Sequence, residues 1–399
     1  MITKNNRMMG AIFLVAGTTI GAGMLALPIT TGLAGFVPSL VIMTLIWLFM
    51  MLTAFYLLEV NLSLKGESNL ISMAHQTLGK PGEILAWMTY LLLLYSLTAA
   101  YMVGCSQIIS TLFQESFFIE LPHYIWPVAI FCIFGIFLYF GTEVVDILNR
   151  ILMAVLMITY LGLISFGWKY IDLKMLNHIN WNFLLPSISV LVTTFGYHII
   201  LPTLTTYLEH DSKRLKWSIF IGSLIAFIVY LIWQFLVMGL IPVEGENGLL
   251  GAAQKEMPVS LLLELVVHHP FFSLFVHAFA FFAIITSLLG VGLSLLDFLA
   301  DGLKIKKTHI GKLCLILLTF VPPLLFTFFY PQGFIAALNY AGFFVIILLG
   351  ILPILMAWFQ RYRNDEKFLE FKFKVFGGKK LLTVTIFLAI FLLSVEIFS

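Results

Sequence analysis

The sequence predicts an all-α polytopic membrane protein with eleven transmembrane helices. Of its 399 residues, 61% are hydrophobic and only 11% are charged, whereas about a quarter of the residues are charged in soluble domains. The mean hydropathy is +1.04. Stretches of roughly 20 apolar residues recur along the chain, and each is long enough to cross a hydrocarbon core of about 30 Å as a helix. These observations leave no room for a sizeable soluble domain.

Apolar length and polar punctuation define the eleven predicted spans, which we number in chain order. They comprise residues 9–29, 36–61, 84–113, 125–140, 144–168, 184–207, 215–241, 270–299, 310–330, 333–358 and 381–398. Between spans 2 and 3, apolar residues at helical spacing within 68–79 predict a short amphipathic helix along the inner surface. The Gly- and Glu-rich stretch 243–256 is interpreted as an outer connector rather than a lid.

The positive charges are divided unevenly between the two sides that this span count defines. If the N-terminus is cytoplasmic, the outer segments contain only Lys169, Lys174 and Lys255, and the other 19 of the 22 lysines and arginines are on inner segments. The positive-inside rule then predicts a cytoplasmic N-terminus and an outer C-terminus. A wrong span count would mix the two sets, so the division also supports the count of eleven.

Two spans contain residues that a plain membrane helix has little reason to contain. Span 1 reads GTTIGAGMLALP over residues 17–28, and span 6 reads TTFGYHIILP over residues 193–202. These are the first helices of two five-span halves, residues 8–168 and 181–360, and the two helices cross the membrane in opposite directions. Residues 381–398 form an eleventh helix, and the whole chain, 1–399, is interpreted as a single transporter domain. Matched interruptions at corresponding positions of an inverted repeat are typical of a transporter's substrate site.

Backbone chemistry explains why such breaks bind solutes. Each exposed peptide group at membrane depth costs several kcal/mol unless a polar group bonds it. Where span 1 resumes, free N–H groups would hold a carboxylate, and the carbonyls near Phe195 and Gly196 would hold an ammonium group. The alternative is that the glycines only form a packing face and the threonines bond their own helix. The matched pattern in two spans favours the broken-helix site.

Several motifs resemble those of the hydroxy/aromatic amino acid permease family, and within it the tyrosine carriers. The run GTTIGAGMLALP in span 1 is the most specific match. The others are TFGYH at 194–198, LTAAY at 97–101, TSxxGV at 286–291 followed by Asp297, YPxGF at 330–334 and NYAG at 339–342. The resemblance covers nearly the whole chain. It implies the leucine-transporter fold, residence in the bacterial inner membrane, and proton-driven uptake of an amino acid, tyrosine first.

The motifs and the resemblance together give the candidate site residues. The predicted substrate-binding residues are Thr18, Thr19, Gly21, Ala22, Gly23, Met24, Tyr95, Thr194, Phe195, Gly196, Tyr197, His198 and Asn339. The candidates for ion coupling are His198, Thr286, Ser287, Glu59 and Asp297. Candidates for an aromatic pocket are Tyr95, Tyr101, Phe195, Tyr197 and Tyr340.

The roles of the ion-coupling candidates stay open. His198 is predicted near the bilayer centre and either carries a proton or acts as a neutral hydrogen-bond partner. Thr286 and Ser287 stand where the related fold has a sodium-binding hydroxyl pair, which leaves sodium coupling open. Glu59 and Asp297 lie near inner span ends, where pairing with loop lysines is cheap.

The substrate within the family is also left open, since tryptophan, phenylalanine, serine or threonine are alternatives to tyrosine.

Other classes of protein fit less well. A channel would need a continuous polar pore, which no row of charges indicates. No arrangement of acids, histidines or nucleophiles at membrane depth indicates an enzyme. We therefore expect no cofactor, metal or nucleic acid, with the amino acid, the coupled ion and lipid as partners. A sensor built on a transporter fold remains an alternative.

Overall fold

The computed structural model describes residues 4–64, 68–117, 121–245, 247–255, 257–362 and 373–398. All regular secondary structure in these ranges is helical. The helices pack around one continuous apolar core, whose largest fully buried side chains include Trp233, Tyr56 and Tyr197. For the described ranges, the prediction of an all-α polytopic membrane protein is confirmed.

The α-helices are numbered in chain order. They are α1 (Lys4–Thr19), α2 (Gly23–Gly32), α3 (Phe36–Ser63), α4 (Leu70–Leu78), α5 (Lys80–Phe117), α6 (Ile125–Phe140), α7 (Thr142–Gly167), α8 (Ile188–Thr194), α9 (Leu201–Tyr207), α10 (Ser212–Leu240), α11 (Leu249–Gln254), α12 (Val259–Val266), α13 (Pro270–Gly302), α14 (His309–Phe329), α15 (Phe334–Val345), α16 (Leu352–Tyr362) and α17 (Gly378–Phe398). Short 3₁₀ turns lie between several of them, and a π-helical stretch, Ile346–Ile351, joins α15 to α16.

Nine helical stretches in the described ranges are long and apolar enough to cross a membrane. The bent pair α1 and α2 makes a tenth when it is taken as one span. Helix α6, at the position of predicted span 4, is apolar but has 16 residues, slightly fewer than the roughly 17 that a span requires. The count of eleven therefore stays a prediction.

Some residues used in the predictions lie outside the described ranges. They are Lys65, Arg363, Lys367 and Lys372 of those assigned to the inner side, and Glu246 and Glu256 of the predicted connector.

The short helix predicted between spans 2 and 3 is confirmed as α4. The Asn69 side chain accepts a hydrogen bond from the Ser72 amide at 2.8 Å, and the Ser72 hydroxyl accepts one from the Asn69 amide at 2.9 Å. This reciprocal pair satisfies two amides that a helix start leaves unbonded. Gly79, with φ of +74°, ends the helix. The helix packs against α5 and α16.

The Gly- and Glu-rich stretch differs from the plain connector that the sequence analysis favoured. It contains α11, and α12 follows it; both helices pack against α2. A Cβ atom on Gly32 of α2 would lie only 2.5 Å from Cδ1 of Leu249 in α11. The absence of a side chain at position 32 therefore lets α11 cover the second half of the first broken span.

Helix α10 begins at an acidic cap outside the apolar spans. The Asp211 carboxylate accepts hydrogen bonds from the amides of Arg214 and Lys213, each at 3.0 Å, and from Nε of Arg214 at 2.8 Å. These bonds, that of the Arg214 amide first, lower the pKa of Asp211. The cap thus fixes the start of the helix that contacts both breaks in the membrane.

Candidate functional site

The first predicted span is interrupted at residues 20–22. Helix α1 ends at Thr19, α2 begins at Gly23, and the two axes differ by 56°. Within α2, Pro28 has no amide to donate to the carbonyl of Met24. The indole Nε1 of Trp233 donates to that carbonyl instead, at 2.8 Å. The interruption predicted for this span is therefore present, and the neighbouring helix supplies a hydrogen bond that the proline removes.

The peptide groups of this first break are only partly bonded. The Met24 amide donates to the Gly21 carbonyl and the Leu25 amide to the Ala22 carbonyl, both at 3.1 Å. No acceptor among the described residues bonds the amide of Gly21. Gly21 is half-buried, whereas Ala22 and Gly23 are buried. The break therefore presents a bare N–H at the electropositive N-terminal end of α2.

Ser287 of α13 lies directly against the first break. Its Oγ accepts a hydrogen bond from the Ala22 amide at 3.0 Å and donates one to the Ala283 carbonyl at 2.8 Å. A Cβ atom on Gly21 would lie only 2.9 Å from the same Oγ. Thr286, by contrast, bonds carbonyls of its own helix. Of the two hydroxyls predicted to face span 1, Ser287 is the one in contact with it.

The second break interrupts the helical crossing between α8 and α9. Residues 195–197 are not helical, and His198–Ile200 form a 3₁₀ turn. The Gly196 amide donates to the Thr193 carbonyl and the Tyr197 amide to the Phe195 carbonyl, both at 3.1 Å. The Gly196 carbonyl accepts no hydrogen bond from the described part of the chain. Gly196 is half-buried, so this break presents a bare acceptor at the electronegative end of α8.

Tyr230 of α10 connects the two breaks. Its hydroxyl donates to the carbonyl of Thr19 at 2.5 Å and lies 3.3 Å from the carbonyl oxygen of Thr194. Because these are the last residues of α1 and α8, one hydroxyl contacts the electronegative ends of both first halves. The breaks also touch directly, since a Cβ atom on Gly23 would lie 3.1 Å from Oγ1 of Thr194.

Tyr230 and its neighbours on the same face of α10 are not among the residues predicted from the sequence. Besides the bond from Trp233 to Met24, the side-chain amide of Gln234 donates to the Thr31 hydroxyl at 2.5 Å. Positions 230, 233 and 234 have the i, i+3, i+4 spacing of one helix face. Polar groups inside a membrane helix usually face the interior of the bundle. That spacing, in an otherwise apolar span, was the available signal.

His198 lies within the second break and is fully buried. Its Nε2 atom is 2.9 Å from Oγ1 of Thr53 on α3. Its Nδ1 atom is buried and has no partner within the described ranges. The structure therefore gives this imidazole a neutral hydrogen-bond partner on a neighbouring helix.

Other predicted binding residues have partners away from the breaks. The hydroxyls of Thr18 and Thr19 bond carbonyls one turn earlier in α1, each at 2.7 Å. The Tyr95 hydroxyl donates to the Leu318 carbonyl of α14 at 2.8 Å. The Oδ1 atom of Asn339 is buried and lacks a partner among the described residues. The contacts thus bring Gly23 of the first break against Thr194 at the second, but leave Thr18 and Tyr95 bonded elsewhere.

The two acidic candidates form ion pairs. Glu59 and Arg361 of α16 have fully buried side chains, with Nη2 2.5 Å from Oε2. Asp297 is paired with Lys307, with Nζ 2.8 Å from Oδ1. The first pair joins α3 to α16, and the second joins α13 to the segment after it.

A small cavity of about 30 Å³ lies beside α2, next to the first break. Its α2 wall is formed by Leu25, Ala26 and Ile29. Residues of α5, α13 and α15, including Phe334, and residues 257–260 at the start of α12 line the rest, with Gln107, Ser260 and Gln332 as its polar members. None of the five aromatic pocket candidates is among the described residues that line it. Tyr340 instead has 61% of its surface exposed. The space beside the break is therefore mainly aliphatic.

Two touching interruptions with complementary bare peptide groups define a class of protein. Broken membrane helices of this kind are typical of secondary transporters, in which they form the solute site. Residues 4–396 match the tryptophan/tyrosine permease family. The chain belongs to this family.

Three similar relatives are named as transport systems or transport proteins. The chain is 33% identical to Tyrosine-specific transport system 1 of Haemophilus influenzae, over 98% of this chain and 96% of the relative. It is 30% identical to the Tryptophan-specific transport protein of the same organism, over 94% and 92% of the two chains. It is also 30% identical to Tyrosine-specific transport system 2, over 96% and 95%. The chain is thus a permease and not an enzyme.

Proposed function

We propose that this chain imports an aromatic amino acid, tyrosine first, across the bacterial inner membrane by ion-coupled symport. One observation supports the proposal above the others. The bare N–H of Gly21 and the bare carbonyl of Gly196 belong to two breaks that touch each other. A zwitterion has one group for each, because a carboxylate accepts hydrogen bonds and an ammonium group donates them.

The binding mode follows from the polarity of the helix ends. The substrate carboxylate bonds the Gly21 amide at the N-terminal end of α2, where the helix dipole favours negative charge. The ammonium group bonds the Gly196 carbonyl at the C-terminal end of α8, where the dipole favours positive charge. The substrate side chain points towards the adjoining cavity, whose apolar wall includes Leu25 and Phe334 and which must widen to hold an aromatic ring. This arrangement satisfies peptide groups that are costly to leave bare in a membrane.

Alternating access in this proposal is a rocking of predicted spans 1, 2, 6 and 7 against the other spans. Side-chain hydrogen bonds support the grouping of these four. Tyr230 of span 7 bonds spans 1 and 6, and His198 of span 6 bonds Thr53 of span 2. The proposal retains two inverted five-span halves in the leucine-transporter arrangement, an eleventh helix, a cytoplasmic N-terminus and an outer C-terminus.

The substrate assignment rests on the relatives. Two of those reported above are named as tyrosine transport systems and one as a tryptophan-specific transport protein. Tyrosine is the first candidate because the tyrosine system has the higher identity, 33% against 30%. Tryptophan is the second candidate because the tryptophan-specific relative is nearly as similar to this chain. The coupled ion in this proposal is a proton, and sodium is the alternative because Ser287 meets the first break.

Uptake of labelled tyrosine into proteoliposomes tests this proposal. We expect saturable, concentrative uptake that an inside-alkaline pH gradient drives, that unlabelled tyrosine abolishes, and that serine leaves unchanged. Removing sodium should not alter it. Stronger competition by tryptophan than by tyrosine would reverse the substrate order, and uptake that never exceeds equilibration would contradict symport.

Replacing Tyr230 with phenylalanine removes only the hydroxyl that contacts both breaks. We expect uptake of labelled tyrosine to fall severalfold, because the helix ends that hold the substrate lose their common partner. The loss of stability should be small, since one interhelical hydrogen bond in a membrane is worth about 0.6 kcal/mol. The matched control is Tyr160→Phe, because the Tyr160 hydroxyl donates to the Val229 carbonyl of the same helix at 2.7 Å, away from the breaks. Equal uptake by the two variants would exclude the proposed role of Tyr230.

A further inference from the structure

The C-terminal helix α17 contains an acidic side chain, Glu396, that contacts the second broken span. The Ser189 hydroxyl of α8 donates a hydrogen bond to Oε2 of Glu396. Glu396 is half-buried. Helix α17 packs against α8, α15, α16, the π-helical stretch and the 3₁₀ turn before α8. An ionisable group in this setting is costly to keep charged, and no role for α17 was predicted from the sequence.

Glu396 differs from the other acidic side chains that have partners inside or near the spans. Within the described ranges, Glu396 has a hydroxyl partner and no cationic one. Acids that do pair with cations or imidazoles in these ranges are Glu59 with Arg361, Asp146 with Arg150, Asp211 with Arg214, Glu209 with Arg7, Asp297 with Lys307, Glu83 with His75 and Glu264 with His277. A cation keeps a nearby carboxylate charged. Glu396 lacks that stabilisation, so its carboxyl is free to exchange a proton.

A short chain of hydrogen bonds leads from Glu396 to the second break. Ser189, which bonds Glu396, accepts at its carbonyl a hydrogen bond from the Thr193 hydroxyl at 2.8 Å. The carbonyl of Thr193 in turn accepts from the Gly196 amide at 3.1 Å. Three hydrogen bonds therefore separate Gly196, which presents the bare carbonyl at the break, from the Glu396 carboxyl of α17.

Close packing fixes Ser189 in this position. A Cβ atom on Gly342 of α15 would lie 2.6 Å from Cα of Ser189, so only glycine allows α15 to approach α8 so closely.

Few other titratable groups face α17. Tyr340 is the titratable residue of α15, and α8, the π-helical stretch and the 3₁₀ turn before α8 contain none. Arg361 and Tyr362 of α16 lie at the opposite end of α17, because Arg361 bonds the Val375 carbonyl at 3.0 Å and Lys379 lies 4.6 Å from the Tyr362 ring centroid. Tyr56 of α3 is near Thr385, about three turns from Glu396. Within the described residues, Glu396 is therefore the acid through which pH would act at this contact.

We propose that Glu396 binds the coupled proton and that its protonation changes the contact between α17 and α8. This inference rests on the proposed proton symport. The carboxylate accepts the Ser189 hydroxyl hydrogen; when a proton from the outer solution forms an O–H bond on the carboxyl, that group becomes a donor and the bond to Ser189 breaks or reverses. For symport, the carboxyl must lose this proton on the inner side after α8 has changed its arrangement, and that loss restores the carboxylate. A proton that binds one arrangement of α8 better than the other shifts the equilibrium between them.

The test compares Glu396→Gln with the unaltered protein in proteoliposomes, using labelled tyrosine. The amide keeps the size of the side chain but cannot exchange a proton. We expect tyrosine–tyrosine exchange to continue and to become independent of pH. For one proton per substrate, a gradient of one pH unit supports about a tenfold accumulation ratio, and we expect the variant to lose this accumulation. Glu143→Gln, the same change at an exposed acid of α7, should behave as the unaltered protein does.

Ser189→Ala gives a second measurement, because it leaves the carboxyl in place and removes its donor. We expect this variant to keep proton-driven accumulation with a shifted pH profile of exchange. An unchanged pH profile and unchanged accumulation in Glu396→Gln would overturn the inference while leaving the proposed function intact. Loss of both exchange and accumulation in a folded Glu396→Gln protein would also overturn it, because the role would then be structural. If the unaltered protein accumulates tyrosine only with a sodium gradient, proton symport and this site fail together.

Discussion

Replacing Gly21 with leucine is expected to abolish tyrosine uptake while the protein still reaches the membrane. Even a single Cβ atom at this position would lie 2.9 Å from Oγ of Ser287, so the leucine side chain must displace Ser287 or the break itself. Either movement alters the bare amide that is proposed to bind the substrate carboxylate. The measurement is initial uptake of labelled tyrosine at equal amounts of membrane-inserted protein.

A graded pair of substitutions separates this effect from a general intolerance of side chains in α1. Gly21→Ala should reduce uptake strongly. Gly17→Ala, one turn earlier, should leave it unchanged, because its Cβ atom would meet only Cε of Met153 at an ordinary 3.7 Å. Normal uptake by Gly21→Ala and Gly21→Leu would count decisively against a substrate site at this break.

The largest loss of stability is expected when Arg361 is replaced by glutamine. Its guanidinium bonds both carboxylate oxygens of Glu59, at 2.6 and 2.5 Å, and among the described residues the Glu59 carboxylate otherwise accepts only the Val375 amide, at 2.7 Å. Both side chains are fully buried. Removing one partner leaves a buried charge unpaired, which costs about 3–5 kcal/mol. Thermal unfolding of the detergent-purified protein measures the effect.

An exposed ion pair provides the control for this prediction. Asp146 and Arg150 pair at 2.7 Å, with side chains that are 52% and 77% exposed. Exposed pairs are usually worth about 0–1 kcal/mol, so Arg150→Gln should scarcely alter the unfolding temperature. The double variant Glu59→Leu, Arg361→Met should recover much of the lost stability, because an apolar pair avoids the cost of a buried charge. Equal effects of Arg361→Gln and Arg150→Gln would show that burial does not govern the pair.

The first broken helix was predictable because its causes are local. Gly21 and Gly23 tolerate a break, and Pro28 removes the amide that would close the next turn, so three positions in one motif define the feature. Long apolar stretches likewise predicted most helix positions to within a few residues. The charge cap of α10 and the capping box of α4 are local signals of the same kind.

The partners of the polar groups were not predictable, because they depend on how distant helices rotate against one another. Glu59 was expected to pair with a loop lysine if with any residue, yet its partner is Arg361, 302 positions away in the sequence. Tyr230 reaches Thr19 across 211 positions. The periodicity of a single apolar span indicates only whether a side chain faces inward or outward. It does not show which distant residue that side chain contacts.

The π-helical stretch in span 10 was also missed, for a different reason. Residues 346–351 contain no proline, and their apolar residues fit an α-helix and a π-helix equally well. The packing around them shows where the stretch lies, since a Cβ atom on Gly350 would be 3.3 Å from Phe49 of α3, and one on Gly196 would be 3.6 Å from Leu349. Such insertions are frequent at functional sites, and this one adjoins the second break.

The central claim is that the two interrupted crossings bind the amino acid together. An electron cryo-microscopy map of the protein in lipid nanodiscs with saturating tyrosine tests it most directly. We predict density for the amino acid between the two breaks, with its carboxylate within hydrogen-bonding distance of the Gly21 amide and its ammonium group beside the Gly196 carbonyl. A map in which tyrosine lies elsewhere, or in which both crossings are continuous α-helices, would contradict the account.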